Sequence, residues 1–222
     1  MEDPDDGAGV AEAAADEAAE PGVDGRSLRR VRSQDAVVTA MLDMLMEGHP
    51  QPTAQDVSVR SGVSMRSVFR LFDDMEAMHR AAIARQVERV VPLLATLTAD
   101  GPFTSRVAAL VGNRAEVFEK VAPVRRLAVR LAAQSPPIRE ELARFGRFFR
   151  QQVAEVFGPE LTRARANTKA DPDDHTVLDA VDAATSWEAW DRLRSGQGLS
   201  VPDASRVVSF TVSALLACAG TE

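Results

Sequence analysis

The sequence predicts an all-α protein made of two helical domains. Three observations lead to this fold class. Apolar residues recur at helical spacing from residue 26 onward, Pro and Gly clusters interrupt that pattern at intervals typical of helix ends, and no sustained apolar–polar alternation or hairpin signal occurs. The length of 222 residues provides enough chain for a sizeable core.

The N-terminal segment has a different composition from the rest of the chain. Residues 1–24 carry nine acidic residues, with no Lys or Arg and almost no bulky apolar residue. Such a segment cannot bury enough surface to offset its ordering entropy, so we expect residues 1–25 to form a disordered acidic tail. The net charge of −7 therefore hides a local excess of positive charge, because Arg26 to Arg70 holds seven arginines and four acidic residues.

Four helices are predicted over roughly the first 60 residues of the folded part. Val37, Met41 and Leu45 mark one face of the first helix, which ends at Gly48 and Pro50. The starts and ends of the next three follow from cap residues. These are Thr53 with Asp56 for the second helix and Gly62 as its stop, Ser64 for the third, and Asp73 or Asp74 for the fourth.

The remaining sequence predicts further helices separated by Pro and Gly. The fourth helix is expected to reach about Leu97, with a bend at Pro92. The segment "GPELTRARANTKADPDD" is expected to be a long or mobile loop. The later helices are expected at about 103–121, 123–134, 137–157, 173–195 and 203–218.

The third predicted helix separates its side chains into two faces. At 100° per residue, Val68 and Phe72 fall on one arc, while Arg66, Phe69 and Arg70 fall on the other. The apolar arc can pack against the preceding helices, which leaves the arginines exposed. A short, backed helix that displays arginines suits the major groove of DNA, where Arg pairs with guanine. A helical hairpin with solvated arginines is the alternative interpretation.

The run "TAQDVSVRSGVSMRSVFRLFDDMEAM" resembles the helix-turn-helix region of the TetR family of bacterial transcriptional regulators. The preceding "VVTAMLDMLMEG" resembles the first helix of that family. The resemblance implies a helix-turn-helix DNA-binding domain over residues 26–80. The matching positions are Thr53, Asp56, Val57, Gly62, Val63, Ser64, Val68, Phe72, Glu76 and Met78.

The sequence departs from the family pattern at four positions, and in the family the Tyr and the fourth-helix Lys among them contact phosphates. Phe69 replaces a Tyr, Leu71 a His, and Met65 and Met75 replace Lys residues. These changes remove part of the sequence-independent attraction to DNA. Arginines can compensate, either on the third helix or in "RSLRRVRS", which can follow the DNA backbone or enter a minor groove as an arm. A solvated helix start explains that run equally well. The candidate DNA-binding residues are Arg29, Arg30, Thr53, Arg60, Ser64, Met65, Arg66, Ser67, Phe69 and Arg70.

For residues 81–222 the resemblance is weaker and implies a helical domain that binds a small effector and dimerises. The candidate effector-pocket residues are Phe118, Leu127, Arg130, Leu131, Phe145, Phe149 and Trp187, with Arg126, Arg130 or Arg147 as anion partners. Each aromatic residue can equally be ordinary core. The candidate dimer-interface residues are Val177, Val181, Ala184, Val208, Thr211 and Leu215. A pair of packed helices without a partner chain is the alternative.

No catalytic or metal-binding motif stands out. The three His residues are far apart, Cys218 is the single cysteine, and "DPDDH" is better explained as a loop with a helix cap than as a cation site. We therefore expect neither an enzyme nor a cofactor. No apolar run approaches the roughly 20 residues of a membrane span, and a secretory signal is not evident, so a cytoplasmic location is expected.

The sequence as a whole favours a homodimeric transcriptional regulator, with repression favoured over activation. Its expected partners are a palindromic double-stranded DNA operator and a small-molecule effector that releases the protein from it. The alternative is a degenerate TetR-like dimer that serves as a small-molecule-binding or protein-interaction scaffold without specific DNA binding.

Overall fold

The computed structural model describes residues 25–94, 96–168 and 174–218. In these ranges the regular secondary structure is entirely helical, with no β-strand. The all-α prediction is therefore confirmed for this part of the chain. The predicted acidic tail lies outside it, apart from Gly25, which begins the first helix. The α-helices are α1 (Gly25–Met46), α2 (Ala54–Ser61), α3 (Met65–Leu71), α4 (Met75–Val90), α5 (Phe103–Leu131), α6 (Pro136–Val156), α7 (Gly158–Thr168), α8 (Thr176–Ala184), α9 (Trp187–Asp191) and α10 (Val201–Cys218).

The first four helices begin and end close to where the cap residues predict. The Thr53 hydroxyl accepts the N–H of Asp56 at 3.2 Å, and the Asp56 carboxylate accepts the N–H of Thr53 at 2.9 Å, which is a complete capping box. Gly62 ends α2 with a φ of 70°, which only glycine adopts without strain. Ser64 and Asp74 accept N–H groups in the first turns of α3 and α4. Local side-chain chemistry therefore fixes this part of the fold.

Two groups of buried apolar residues hold the helices together. The N-terminal cluster joins the predicted face of α1 with Val57, Val68 and Met78, and it also takes in Leu127 of α5 and Ile138 of α6. The C-terminal cluster contains buried residues from each of the helices from α5 through α10. Because α4 runs unbroken through the predicted domain boundary at residues 80/81, the first helices are continuous with the rest of the protein.

Two proline positions have effects other than those predicted. The fourth helix does not reach Leu97. It ends at Val90, and a 3₁₀ turn over Val91–Leu93 contains Pro92. By contrast, α5 continues through Pro123, where the sequence predicts a break. Pro123 provides no N–H to the turn before it. The carbonyl that lacks this donor is that of Glu119, four residues earlier. The adjacent Lys120 carbonyl receives a hydrogen bond from the Gln86 side chain of α4, at 2.9 Å.

The C-terminal half differs from the prediction in two further places. The expected loop that begins at Gly158 is helical as α7 as far as Thr168, because Leu161 and Ala164 bury one of its faces and Glu160 is anchored to α5. Residues 169–173 of that expected loop lie outside the described residues. The expected single helix over 173–195 is interrupted after α8. Ser186 accepts the N–H of Ala189 at 3.2 Å and so starts α9 as a new helix. A π-helical turn, Arg192–Gly196, follows α9.

Candidate functional site

Helix α3 has a buried face and an exposed face. Val68 is 0% exposed and packs in the N-terminal cluster with Val57, which fixes the helix against α2. Arg66 and Arg70 are exposed on the other side, and the Phe69 ring is 51% exposed beside them. The turn between α2 and α3 is short because Gly62 reverses the chain and Ser64 immediately caps the next helix. The outcome is a short, rigidly backed helix with two outward guanidinium groups.

A basic groove lies next to α3 and extends this charged surface. It forms between the start of α1 and the end of α3, and Arg29, Arg30 and Arg70 belong to its wall. Because α1 is already helical at Gly25, these arginines lie on a helix, and Arg29 Nε donates to the Gly25 carbonyl at 3.0 Å. Of the two interpretations left open for residues 26–32, the structure therefore agrees with the exposed helix start and not with an extended arm. The groove residues are Arg26, Arg29, Arg30, Ser33, Ser67, Arg70 and Leu71.

Several predicted DNA-binding residues already have partners within the chain. The Thr53 hydroxyl donates to the Asp56 carboxylate at 2.6 Å, and these bonds hold the pKa of Asp56 below its ordinary value. Arg60 forms an exposed ion pair with Glu47 on α1's C-terminal side. The Ser64 hydroxyl bonds with the Ser67 hydroxyl at 3.1 Å, and Met65 is half-buried. Of the predicted set, the structure therefore groups Arg29, Arg30, Ser67 and Arg70 around one groove.

An apolar cavity of about 60 Å³ lies between α4, α5 and α6, with Trp187 of α9 in its wall. The predicted residues Phe118, Phe145, Phe149 and Trp187 all line it. The Phe118 ring meets the Phe149 and Trp187 rings edge to face, with centroids 5.5 and 5.8 Å apart, so the aromatic wall is well packed.

Three predicted pocket residues lie outside this cavity. Leu127 is buried in the N-terminal cluster, and Leu131 packs against the same cluster. Arg130 donates to the Pro50 carbonyl at 2.8 Å and so joins α5 to the α1–α2 connection. Their helical register explains the error, because this face of α5 points toward the first helices.

The basic residue of the cavity wall is one that the sequence did not single out. Arg125 lines the cavity, whereas Arg126 is bound to Asp191 at 2.7 Å and Arg147 is exposed on α6. Burial lowers the pKa of Arg125, partly opposed by Glu188. Arg125 stands seven residues after Phe118 and so shares its helix face. The helix break expected before Pro123 concealed that register.

The predicted dimer residues are only partly available to a second chain. Val181 and Val208 are buried in the C-terminal cluster of their own chain, so assigning them to the interface was wrong. The others, Val177, Ala184, Thr211 and Leu215, are half-buried. The outer face of α10 instead displays Val207, together with Phe210 at 76% exposure. The side chain of Cys218 lies outside the described residues. From the sequence, either Val207 or Val208 could lie on the outer face of α10. The packing of α10 places Val207 outside and Val208 inside.

The described ranges contain no group of three or more His, Cys, Asp or Glu side chains placed to hold a metal ion. None of the helices in these ranges is both long and apolar enough to cross a bilayer. No model of a known protein family matches the chain, and no curated protein matches it.

Proposed function

We propose that the chain is a homodimeric transcriptional regulator that resembles the TetR family and acts as a repressor. In this proposal α2 and α3 form a helix-turn-helix unit, and α3 reads the major groove of an operator. One observation carries the proposal. Val68 is fully buried on one side of α3, while Arg66 and Arg70 are exposed on the other side, next to a groove lined by further arginines.

The two charged surfaces suit different parts of a DNA duplex. Arg66 and Arg70 stand one turn apart on an outward face, where guanidinium groups can pair with guanine edges. The basic groove suits phosphates, which attract arginines regardless of base sequence and orient the reading helix. The half-exposed Phe69 ring offers an apolar contact for a thymine methyl group. Arginines on α1 thereby compensate for the phosphate contacts absent at Met65 and Met75.

Helix α4 connects this surface to the cavity. Its first half packs Met78 and Ala82 in the N-terminal cluster, and its second half places Ile83, Gln86 and Val87 in the cavity wall. An effector that widens the cavity would therefore displace α4 and, with it, the orientation of α3. By linkage, effector and operator then weaken each other's binding by the same factor.

Dimerisation follows from the reading geometry and from the exposed face of α10. A single α3 covers only half of an operator, and a two-fold dimer reads two half-sites about 34–36 Å apart. Phe210 and Val207 supply an apolar surface on α10 that a second copy can cover. A palindromic site is therefore expected.

Selection of binding sites from a random duplex library tests the proposal. The wild type should enrich a palindrome, and R66A/R70A should enrich none, because α3 has then lost its base-reading groups. The variant R89A/R147A is the matched control, since it removes two exposed arginines from α4 and α6. It should enrich the same palindrome as the wild type.

The alternative function, a ligand-binding dimer without specific DNA binding, makes a different prediction in the same experiment. Its basis is the apolar cavity, which does not depend on α3. If folded wild-type dimers enrich no sequence at moderate salt, operator binding is contradicted and the cavity remains as the functional site.

A further inference from the structure

We propose that the apolar cavity binds a small apolar monocarboxylate, with the carboxylate paired to Arg125 and the hydrocarbon body against the aromatic wall. This inference rests on the proposed function only in treating the cavity as the effector site. It adds the chemical class of the effector and the residue that recognises its charge.

The wall of the cavity determines what kind of body the ligand can have. Apart from Gln86, Arg125 and Glu141, the residues that line it are apolar or aromatic. One N–H of the Gln86 amide already donates to the Lys120 carbonyl, so this single amide offers a polar ligand few hydrogen-bond partners. A body rich in hydroxyl or amide groups would lose its hydrogen bonds to water here without replacement. The body should therefore be a hydrocarbon.

Arg125 determines which charge the ligand carries. Only 16% of its side-chain surface is exposed, and its buried Nε has no hydrogen-bond partner within the described residues. Its closest carboxylate, Glu188, is 68% exposed and lies 3.7 Å away, too far for a strong bond. A carboxylate in the cavity can accept two bonds from the guanidinium fork and satisfy the group that burial leaves without a partner.

A second buried guanidinium stands behind the aromatic wall. Arg114 is 1% exposed, and its guanidinium carbon lies 4.1 Å from the centroid of the Phe149 ring that lines the cavity. Its hydrogen bonds go to neutral oxygens, those of Gln152 and the Phe149 carbonyl, and its Nε has no partner in the part of the chain described. Two buried cations thus lie beside one small apolar volume, and burial outweighs the carboxylates that act on them, Asp182 on Arg114 and Glu188 on Arg125. A cationic ligand is disfavoured there, and an anion is favoured.

Glu141, the acidic residue of the wall, faces a different neighbour. Its carboxylate bonds to Arg144 on the same helix, and both residues also line a groove between α4 and α6. This groove shares Ile83, Val87 and Glu141 with the cavity. The groove therefore adjoins the cavity, with the Glu141–Arg144 pair at its side.

The size of the cavity favours a slender ligand. About 60 Å³ accommodates only a handful of water-sized spheres. A short alkyl chain or a single aryl ring can enter with small side-chain movements, and it can extend toward the α4–α6 groove. Fused-ring ligands would require the packed Phe118, Phe149 and Trp187 rings to separate.

Calorimetric titration of the full-length protein with three eight-carbon probes tests the inference. Octanoate, octan-1-ol and octylamine share one hydrocarbon body and differ in the charge of the head group. Octanoate should bind at least about tenfold more tightly than octanol, because a charge-assisted bond to Arg125 is added. Octylamine should bind more weakly than octanol.

Variants assign the effect to one side chain. R125M should abolish the preference for octanoate over octanol while leaving octanol binding intact, and R125K should retain part of it. R147M is the matched control on α6 and should bind as the wild type does. Equal affinity for octanol and octanoate, an unchanged preference in R125M, or no binding of octanoate would each overturn the inference. No DNA is present in these titrations, so a failure of operator recognition would leave the result unaffected.

Discussion

Gln86 on α4 donates a hydrogen bond from its side-chain nitrogen to the backbone carbonyl of Lys120 on α5, at 2.9 Å. The two residues join the helices just before Pro123, where α5 has lost a backbone donor. Gln86 also lines the apolar cavity. One side chain therefore bonds to α5 beside the proline-containing turn, connects α4 to α5 and contacts the space proposed for the effector.

Replacing Gln86 by Leu should destabilise the protein by about 1–3 kcal/mol, because the Lys120 carbonyl loses its donor in a partly buried position. Urea unfolding followed by circular dichroism measures this difference. The control is Q151L, which makes the same replacement at an exposed position on α6. An unfolding midpoint of Q86L equal to that of Q151L would contradict the role given to this bond.

A buried ion pair joins α5 to α7 and should make stability depend on pH. Arg106 binds both oxygens of Glu160, at 2.7 and 2.9 Å, and also donates to the Val156 carbonyl at 2.6 Å. The hydrogen bonds from Arg106 hold the pKa of Glu160 below its ordinary value near 4.5. A depressed pKa in the folded state stabilises the protein above the unfolded pKa, and this contribution is lost as pH falls through the folded value.

Replacing Glu160 by Gln should therefore cost about 3–5 kcal/mol at pH 7, because the buried Arg106 loses its counter-ion. The difference from the wild type should shrink as the pH falls from about 5 through the lowered pKa of Glu160. Urea unfolding at a series of pH values measures both effects. E116Q is the control, since Glu116 pairs with Lys120 at the surface and should change stability by less than about 0.5 kcal/mol. A constant difference between E160Q and wild type from pH 7 to pH 3 would refute the assignment.

The sequence predicts those parts of the fold that depend on neighbouring residues. The starts of α2, α3 and α4 follow from Thr53, Ser64 and Asp74, because each cap side chain bonds three residues further along the chain. The end of α2 follows from Gly62, which takes a left-handed backbone conformation. The exposure of Arg66 and Arg70 follows from helical periodicity for the same reason.

Features that depend on distant residues could not be predicted in this way. The sequence predicts a break before Pro123, whereas α5 continues through it, and the bond beside this turn joins Gln86 to Lys120, 34 positions apart. Missing that continuity also concealed Arg125, whose place in the cavity wall follows once α5 is a single helix. Choosing between Val207 and Val208 as the outer residue of α10 likewise required the packing of α10 against its neighbours.

The exposed ring of Phe69 leads to a gain-of-affinity prediction. Phe69 lies on the same outward face of α3 as Arg66 and Arg70, and its ring ends without a polar group. The variant F69Y should bind the selected operator about two- to tenfold more tightly, since a phenolic hydroxyl there can donate to a phosphate. Fluorescence anisotropy measures the affinity, and the salt dependence should keep its slope because no charge is added.

The matched control for F69Y is F148Y, which adds the same hydroxyl to an exposed ring on α6 and should leave operator affinity unchanged. A weaker or unchanged operator complex of F69Y would contradict the orientation proposed for α3 on DNA.

The outer face of α10 provides the prediction for assembly. Phe210 and Val207 are exposed on this helix, while Val208 and Val212 pack inward, so only the outer pair is available to a second copy. In a two-fold interface each copy presents the same surface, and a charge at Phe210 is then introduced on both sides.

F210E should raise the dimer dissociation constant at least about 30-fold, as expected for loss of a central aromatic contact. Sedimentation velocity measures the shift to monomers, and V59E, a similarly exposed apolar position on α2, is the control. Sedimentation of F210E as a dimer at wild-type concentrations would place the interface on another surface.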